Sequence, residues 1–183
     1  MSTSCSISRS SYDAVIFDLD GVVTKTAEVH AAAWKRLFDD FFETRRREDN
    51  RERYAPFDIQ RDYRRYVDGK PRYDGIKSFL DARDIRLPFG EPDDAPEKET
   101  VCGLGNRKNR IFHELLAEKG VEVYPATLSL IHALRSNQIR TGIVSSSKNC
   151  AAVLKAAGIA DLFDVRVDGK DSEALQLSGK PAP

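Results

Sequence analysis

Cysteine is scarce in this chain, and the few cysteines stand far apart. Cys5, Cys102 and Cys150 are an odd, widely spaced set, which excludes a disulfide framework and a zinc-ligand pattern. An excess of charge of one sign is also missing. The 29 basic and 29 acidic side chains cancel, so no global attraction to nucleic acid or to an anionic membrane follows. No apolar run approaches the length of a membrane span. Residues 1–11, MSTSCSISRSS, lack the apolar core of a signal peptide and read as a disordered leader. Cytoplasm is the default location. What remains is 40% hydrophobic and 32% charged over 183 residues, which is room for one sizeable soluble domain or a domain carrying an insert.

The chain is organised around residues 14–24, AVIFDLDGVVT. Ala14 to Phe17 is a short apolar run that reads as a strand buried on both faces, as in a parallel sheet. It leads into Asp18, Asp20 and Gly21. Alternation would point both acids the same way, although Gly21 implies that the chain is already turning. Carboxylates at the carboxyl end of such a strand stand where α/β sheets make ligand crevices. Burying them without a partner is costly, so a cation or a proton is implied. A plain polar turn is one reading, since Asp and Gly are ordinary turn residues. A calcium loop fails, because Val29 stands where the closing Glu is needed. The third reading is a phosphoryl-transfer site, with Asp18 as nucleophile, Asp20 as acid/base and Mg²⁺ between them and the phosphate.

Further along, Val29, Ala33, Leu37 and Phe41 recur at i+4, flanked by Trp34, Phe38 and Phe42, and predict a helix over 26–43 with Thr26 as its cap. His30 falls on its first turn. Residues 43–53 are nearly all charged and read as a solvated helix end or loop. Tyr63, Tyr66 and Val67 suggest a helix ending before Gly69, and Gly69 to Arg72 reads as a turn carrying two cations. It is either a basic surface turn or a phosphate clamp suited to the fork of the Arg72 guanidinium. A helix is expected over 74–85, and a Pro- and Asp-rich surface loop over 86–99. GLGN, at 103–106, is too short for a nucleotide fingerprint. Lys108 reads as the start of the next helix, a place where most lysines are only solvated. After Gly120 the rhythm is α/β: a helix following Pro125, a strand over 139–144, a helix over 150–157 stopped by Gly158, and a strand over 162–167. Asp168 and Gly169 read as opening a loop. The run Ser145-Ser146-Ser147-Lys148-Asn149 is either an ordinary strand-to-helix turn or an anion cradle of hydroxyls and backbone N–H groups.

Residues 14–26 resemble the first motif of the haloacid dehalogenase superfamily, hhhDxDGxxxxT. Ser145, closing a strand, resembles its second motif, and Lys180, in Gly-Lys-Pro, its third. TAEVHAAAW, SSSKN and GKPAP resemble the β-phosphoglucomutase branch. The resemblance implies a Rossmann-like parallel-sheet core over 12–24 and 122–183, with a helical cap domain inserted over 25–121. On the matching positions it implies that Asp18 becomes an aspartyl-phosphate and that Asp20 moves protons. Ser145 and Lys180 would stabilise the transferring phosphoryl group, and Mg²⁺ would be held through Asp18 and Asp20. His30, Arg72 and Lys108 match cap residues that meet the sugar and its second phosphate, and Ser147, Lys148 and Asn149 match residues beside phosphate and sugar. Lys25 departs from the family's usual Asp before Thr26. The implied partner is a small phosphorylated sugar, with a monomer expected and neither nucleic acid nor membrane involved. The implied reaction is β-glucose 1-phosphate to glucose 6-phosphate, with hydrolysis of a sugar phosphate as the alternative. The family's fourth, acidic motif has no counterpart before Pro183, so the core is expected to be incomplete at its C-terminus, and an inactive remnant is a further alternative.

Overall fold

The structure is a computed structural model and describes residues 7–48 and 54–178. The chain divides into two compact units, one of residues up to Thr26 together with Gly120–Ser178, the other built on Ala27–Lys119. Lys180 and the rest of the Gly-Lys-Pro segment lie outside the described residues, as do 1–6 and 49–53. Of the Ser-rich leader, residues 7–11 are described. They form a turn in which Ser11 N donates to Ser8 O at 3.0 Å, and Arg9 donates to Gln138 O.

The first unit holds a parallel sheet in the order β1-β2-β3, with β1 at Ala14–Phe17, β2 at Arg140–Val144 and β3 at Val165–Val167. Its helices are α4 (Pro125–Ser136), α5 (Cys150–Ala156) and α6 (Gly169–Ala174). Pro125 opens α4 at a position where the missing N–H costs nothing. Gly158, at φ 68°, ends α5, with Gly158 N on Lys155 O and Ile159 N on Leu154 O, both at 3.1 Å. This is the paired-bond closure that glycine favours.

Two expectations are corrected in this unit. The strand β1 is not buried on both faces: Phe17 is buried, but Ile16 is 68% exposed and Val165, on the same face of β3, is 58% exposed. Right-handed crossovers between strands laid down in sequential order place their connecting helices on one face of the sheet, and the opposite face receives none of them. Asp168 and Gly169 open a helix rather than a loop. The Asp168 side chain accepts from Lys170 N at 2.8 Å, and Asp171 accepts from Asp168 N at 2.8 Å. This reciprocal capping box outweighs the turn character of Asp-Gly.

The second unit is helical: α1 (Thr26–Glu48), a π-helical turn at Tyr63–Val67, α2 (Arg72–Asp81) and α3 (Val101–Lys119). The predicted stripe of α1 is buried, and Phe38, Phe42, Phe57 and Phe79 are fully enclosed. Phe38 and Phe79 lie 4.2 Å apart between ring centroids, and Phe57 and Phe79 lie 5.0 Å apart. Aromatic surface of this extent dominates the burial energy of a small helical core. The helix α1 runs to Glu48 instead of ending at 43. Arg45 continues it by laying its guanidinium 4.0 Å over the Phe41 ring and donating to Phe41 O. Arg72 is the first residue of α2 rather than part of the preceding turn.

The helix α3 begins at Val101, so Lys108 sits inside it and is buried at 5% exposure. The two glycines of the GLGN run lie inside this helix and allow close packing. A Cβ on Gly105 would lie 2.6 Å from the Tyr73 ring, and one on Gly103 would lie 2.2 Å from Lys98 O.

Candidate active site

In the sheet unit, Phe17 of β1 pairs with Ile143 of β2, so Asp18 and Ser145 leave adjacent strands at the same, carboxyl end. The turn after β1 is tight: Val23 N and Thr24 N both donate to Leu19 O at 3.0 Å, and Gly21 N donates to Thr24 O at 2.8 Å. Leu19 between the two acids is fully buried, and its N–H donates to Asp18 Oδ1 at 2.8 Å. Asp18 itself is exposed and Asp20 half-buried. The burial cost inferred from the strand pattern therefore does not by itself demand a cation.

Asp20 is oriented by Thr26, whose hydroxyl donates to its Oδ1. Thr24 and Thr26 share a hydroxyl contact of 2.6 Å and are both buried. The hydroxyl of Thr26, the first residue of α1, is thus engaged with the acid loop. Neither threonine was identified as part of the site from sequence; the one available signal is their position inside the acidic motif. Lys25 forms a 2.7 Å ion pair with Glu122 and donates its backbone N–H to Glu122 O at 2.9 Å. The hydrogen bond and charge of the Lys25 ammonium hold the Glu122 carboxyl below the usual range.

Ser145 is buried at 4% exposure and is anchored by Ser145 N donating to Val167 O of β3 at 3.0 Å. Its Oγ accepts from Ser147 N at 3.1 Å, and Ser147 Oγ accepts from Asn149 N at 3.2 Å. Ser147, Lys148 and Asn149 thus belong to one loop of successive side-chain-to-backbone turns. Lys148 pairs with Glu173 at 2.7 Å. Cys150 follows, with its thiol pushed up to about 12 by burial and by the nearby Asp168. It is a neutral packing group.

In the helical unit, Lys108 Nζ lies 2.6 Å from His30 Nδ1. The His30 ring stacks on Phe112 at 4.1 Å, and the Lys108 amine sits 5.0 Å from the centroid of Trp34 and 5.1 Å from that of Phe112. Arg72 donates to Asn109 Oδ1 at 3.0 Å. The neighbours Lys108 and Asn109 therefore bring His30 and Arg72 to one helix, α3. Asn109 was missed as a candidate, although it adjoins Lys108 in Arg-Lys-Asn.

Among the described residues there is no group of three or more His, Cys, Asp and Glu side chains that could hold a metal. Asp18 and Asp20 are a pair of hard oxygen donors. That suits Mg²⁺, which keeps several waters and takes one or two carboxylates together with phosphate oxygens. Among the described residues, no helix is long and apolar enough to cross a membrane.

A parallel sheet with acids at the carboxyl end of its first strand defines an α/β protein, a class in which ligand sites form at the strand ends. The profile of haloacid dehalogenase-like hydrolases matches residues 12–183, and the chain belongs to that family. It is 44% identical over 170 residues to a β-phosphoglucomutase of Mycobacterium bovis, covering 93% of this chain and 64% of that protein. It is 32% identical over 171 residues to a β-phosphoglucomutase of Bacillus subtilis, covering 93% of this chain and 65% of that protein. The chain thus spans just under two thirds of the length of these relatives. The crystal structure of β-phosphoglucomutase from Clostridium difficile superposes with a TM-score of 0.67 at 25% identity, over 91% of this chain and 72% of that one.

Proposed function

We propose that this chain carries the machinery of a sugar-phosphate phosphoryl transfer that passes through an aspartyl-phosphate, with β-glucose 1-phosphate as substrate and glucose 6-phosphate as product. The observation that carries the reading is the pair Asp18 and Asp20 at the end of β1, beside Ser145 at the end of β2, with Asp20 held by Thr26.

Asp18 attacks phosphorus through a carboxylate oxygen, and the phosphorus–oxygen bond of the donor breaks. Asp20 gives its proton to the departing oxygen. In the second half it takes the proton of the accepting hydroxyl, whose oxygen then attacks the aspartyl-phosphate and frees Asp18. Ser145 and the backbone of its loop hold the phosphoryl oxygens, and Lys180 adds positive charge there. Asp18 and the backbone carbonyl of Asp20 would hold Mg²⁺, which supplies charge neutralisation to the phosphoryl group when bound. The helical unit acts as the cap domain, with Arg72 for the second phosphate and Lys108 and His30 for the sugar. Buried placement of the Lys108 amine beside His30 supports this part of the reading, since an ammonium is costly to bury for packing alone.

The test supplies β-glucose 1-phosphate, Mg²⁺ and a trace of glucose 1,6-bisphosphate. Formation of glucose 6-phosphate is the expected result. Free phosphate without glucose 6-phosphate would make the activity a phosphatase, and neither product would overturn the reading.

A further inference from the structure

The Ser145–Asn149 loop does not hold its shape alone, and the element that braces it is the corner between β3 and α6. Gly169, the first residue of α6, lies so close to the loop that a Cβ built on it would stand 2.6 Å from Ser146 O, 2.9 Å from Lys148 N and 3.1 Å from Lys148 Cγ. The first two are backbone atoms, which cannot swing aside as the end of a long side chain can. Gly169 N also donates to Ser147 O at 3.3 Å.

Gly169 is itself unable to retreat. The preceding Asp168 is 1% exposed, caps α6 through Lys170 N at 2.8 Å, and accepts from Arg166 Nε at 2.8 Å. One turn further along α6, Glu173 holds the Lys148 amine at 2.7 Å. The loop is thus touched by α6 at its backbone and at its lysine, while β3 holds its first residue through Val167 O.

We propose that Gly169 and Glu173 are positioning residues for phosphate: together they set the backbone of the Ser145–Asn149 loop and the direction of Lys148, and so the affinity of the site for a phosphoryl group. This rests on the reading of that loop as the phosphate cradle. Adding a methyl group at Gly169 must move the Ser146 carbonyl and the Lys148 N–H by a good part of an ångström. A displacement of about 1 Å among groups that position a reacting phosphoryl costs up to about a hundredfold in rate, and phosphate binding falls in the same direction.

The experiment titrates inorganic phosphate into the wild-type chain and into Ser145→Ala, Gly169→Ala and Glu173→Gln, following the backbone amides of 146–149 by NMR and unfolding by urea. Gly169→Ala is expected to weaken phosphate binding at least tenfold and to shift the amides of 146–149. Glu173→Gln is expected to weaken it two- to fivefold with an unchanged unfolding midpoint, because its ion pair is largely solvated. If Ser145→Ala binds phosphate as well as wild type, the phosphate-cradle reading fails. If Ser145→Ala loses binding while a folded Gly169→Ala binds within twofold of wild type, the positioning role fails and the cradle stands. Should Gly169→Ala not fold, Glu173→Gln decides: unchanged affinity with unchanged amides of 146–149 overturns the proposal.

Discussion

Replacing Lys108 by Met separates binding from folding at one position. Lys108 is 5% exposed, with its amine 2.6 Å from His30 Nδ1, 5.0 Å from the Trp34 ring centroid and 5.1 Å from that of Phe112. Met keeps most of the stem and packs well against aromatic rings. The variant loses a charge-assisted hydrogen bond of about 1.5–3 kcal/mol. It also loses a cation–π attraction of about 2 kcal/mol in a desolvated setting. It is relieved of the desolvation of a buried ammonium, which costs several kcal/mol. These contributions nearly cancel, so stability should change by no more than about 1 kcal/mol. Binding has no such compensation. A cation withdrawn from a phosphosugar removes about 1.5–3 kcal/mol, or roughly ten- to a hundredfold in KM. Lys108→Ala should instead leave a cavity beside Trp34 and Phe112 and cost about 2–3 kcal/mol more than Met. Urea unfolding and a steady-state assay coupled to glucose 6-phosphate oxidation check both sides. If Lys108→Met loses about 3 kcal/mol of stability with KM unchanged, the reasoning is refuted and Lys108 is a structural ion.

Asp18→Asn should abolish formation of a phosphoenzyme, whereas Asp20→Asn should slow turnover by roughly 10²–10⁴ through proton transfer; phosphate on the same peptide of Asp18→Asn, seen by mass spectrometry, would contradict the assignment. Asp62 is 3% exposed in its side chain and bridges Arg83 at 3.1 Å and Arg61 at 2.9 Å. Burial would raise its carboxyl, but the Arg61 hydrogen bond, the Asp58 N–H and the two guanidinium charges together hold it below the usual range. A depressed carboxyl stabilises the fold above its unfolded value, about 4, and loses that stabilisation as pH falls through the folded value. Asp62→Ala should therefore cost about 3–5 kcal/mol near pH 7. The gap from wild type should narrow below about pH 4, as measured by chemical denaturation across pH. With its thiol at about 12, Cys150 should resist iodoacetamide at pH 8 and react only after urea unfolding; rapid labelling of the folded protein would count against its burial.

How much was legible in advance can be followed residue by residue. The acid motif after β1 and the serine run after β2 could be read directly, because short strands ending in polar turns carry their chemistry in consecutive residues. The stripe from Val29 to Phe42 likewise announced α1 through its period. The reach of α1 past residue 43 was hidden, because Arg45 extends it by stacking on Phe41, one turn back, and by pairing with the distant Glu99. The packing role of Gly103 and Gly105 was hidden too, because propensity says nothing of what packs against them; Tyr73 and the carbonyl of Lys98 fill the space where side chains would be.

By itself the sequence determined the order of strands and helices as far as β3, the pair Asp18 and Asp20 as candidates, and the family through its motifs, all of them properties of local runs. Tertiary structure alone decided the 2.6 Å contact of Lys108 with His30, 78 residues apart. It alone set the exposure of Ile16, the hold of Asn109 on Arg72, and the wedge of Gly169 against Ser146. Each of these depends on where two distant segments cross. The side-chain pattern of one segment constrains its own face and period, but not which atoms a remote segment will bring against it.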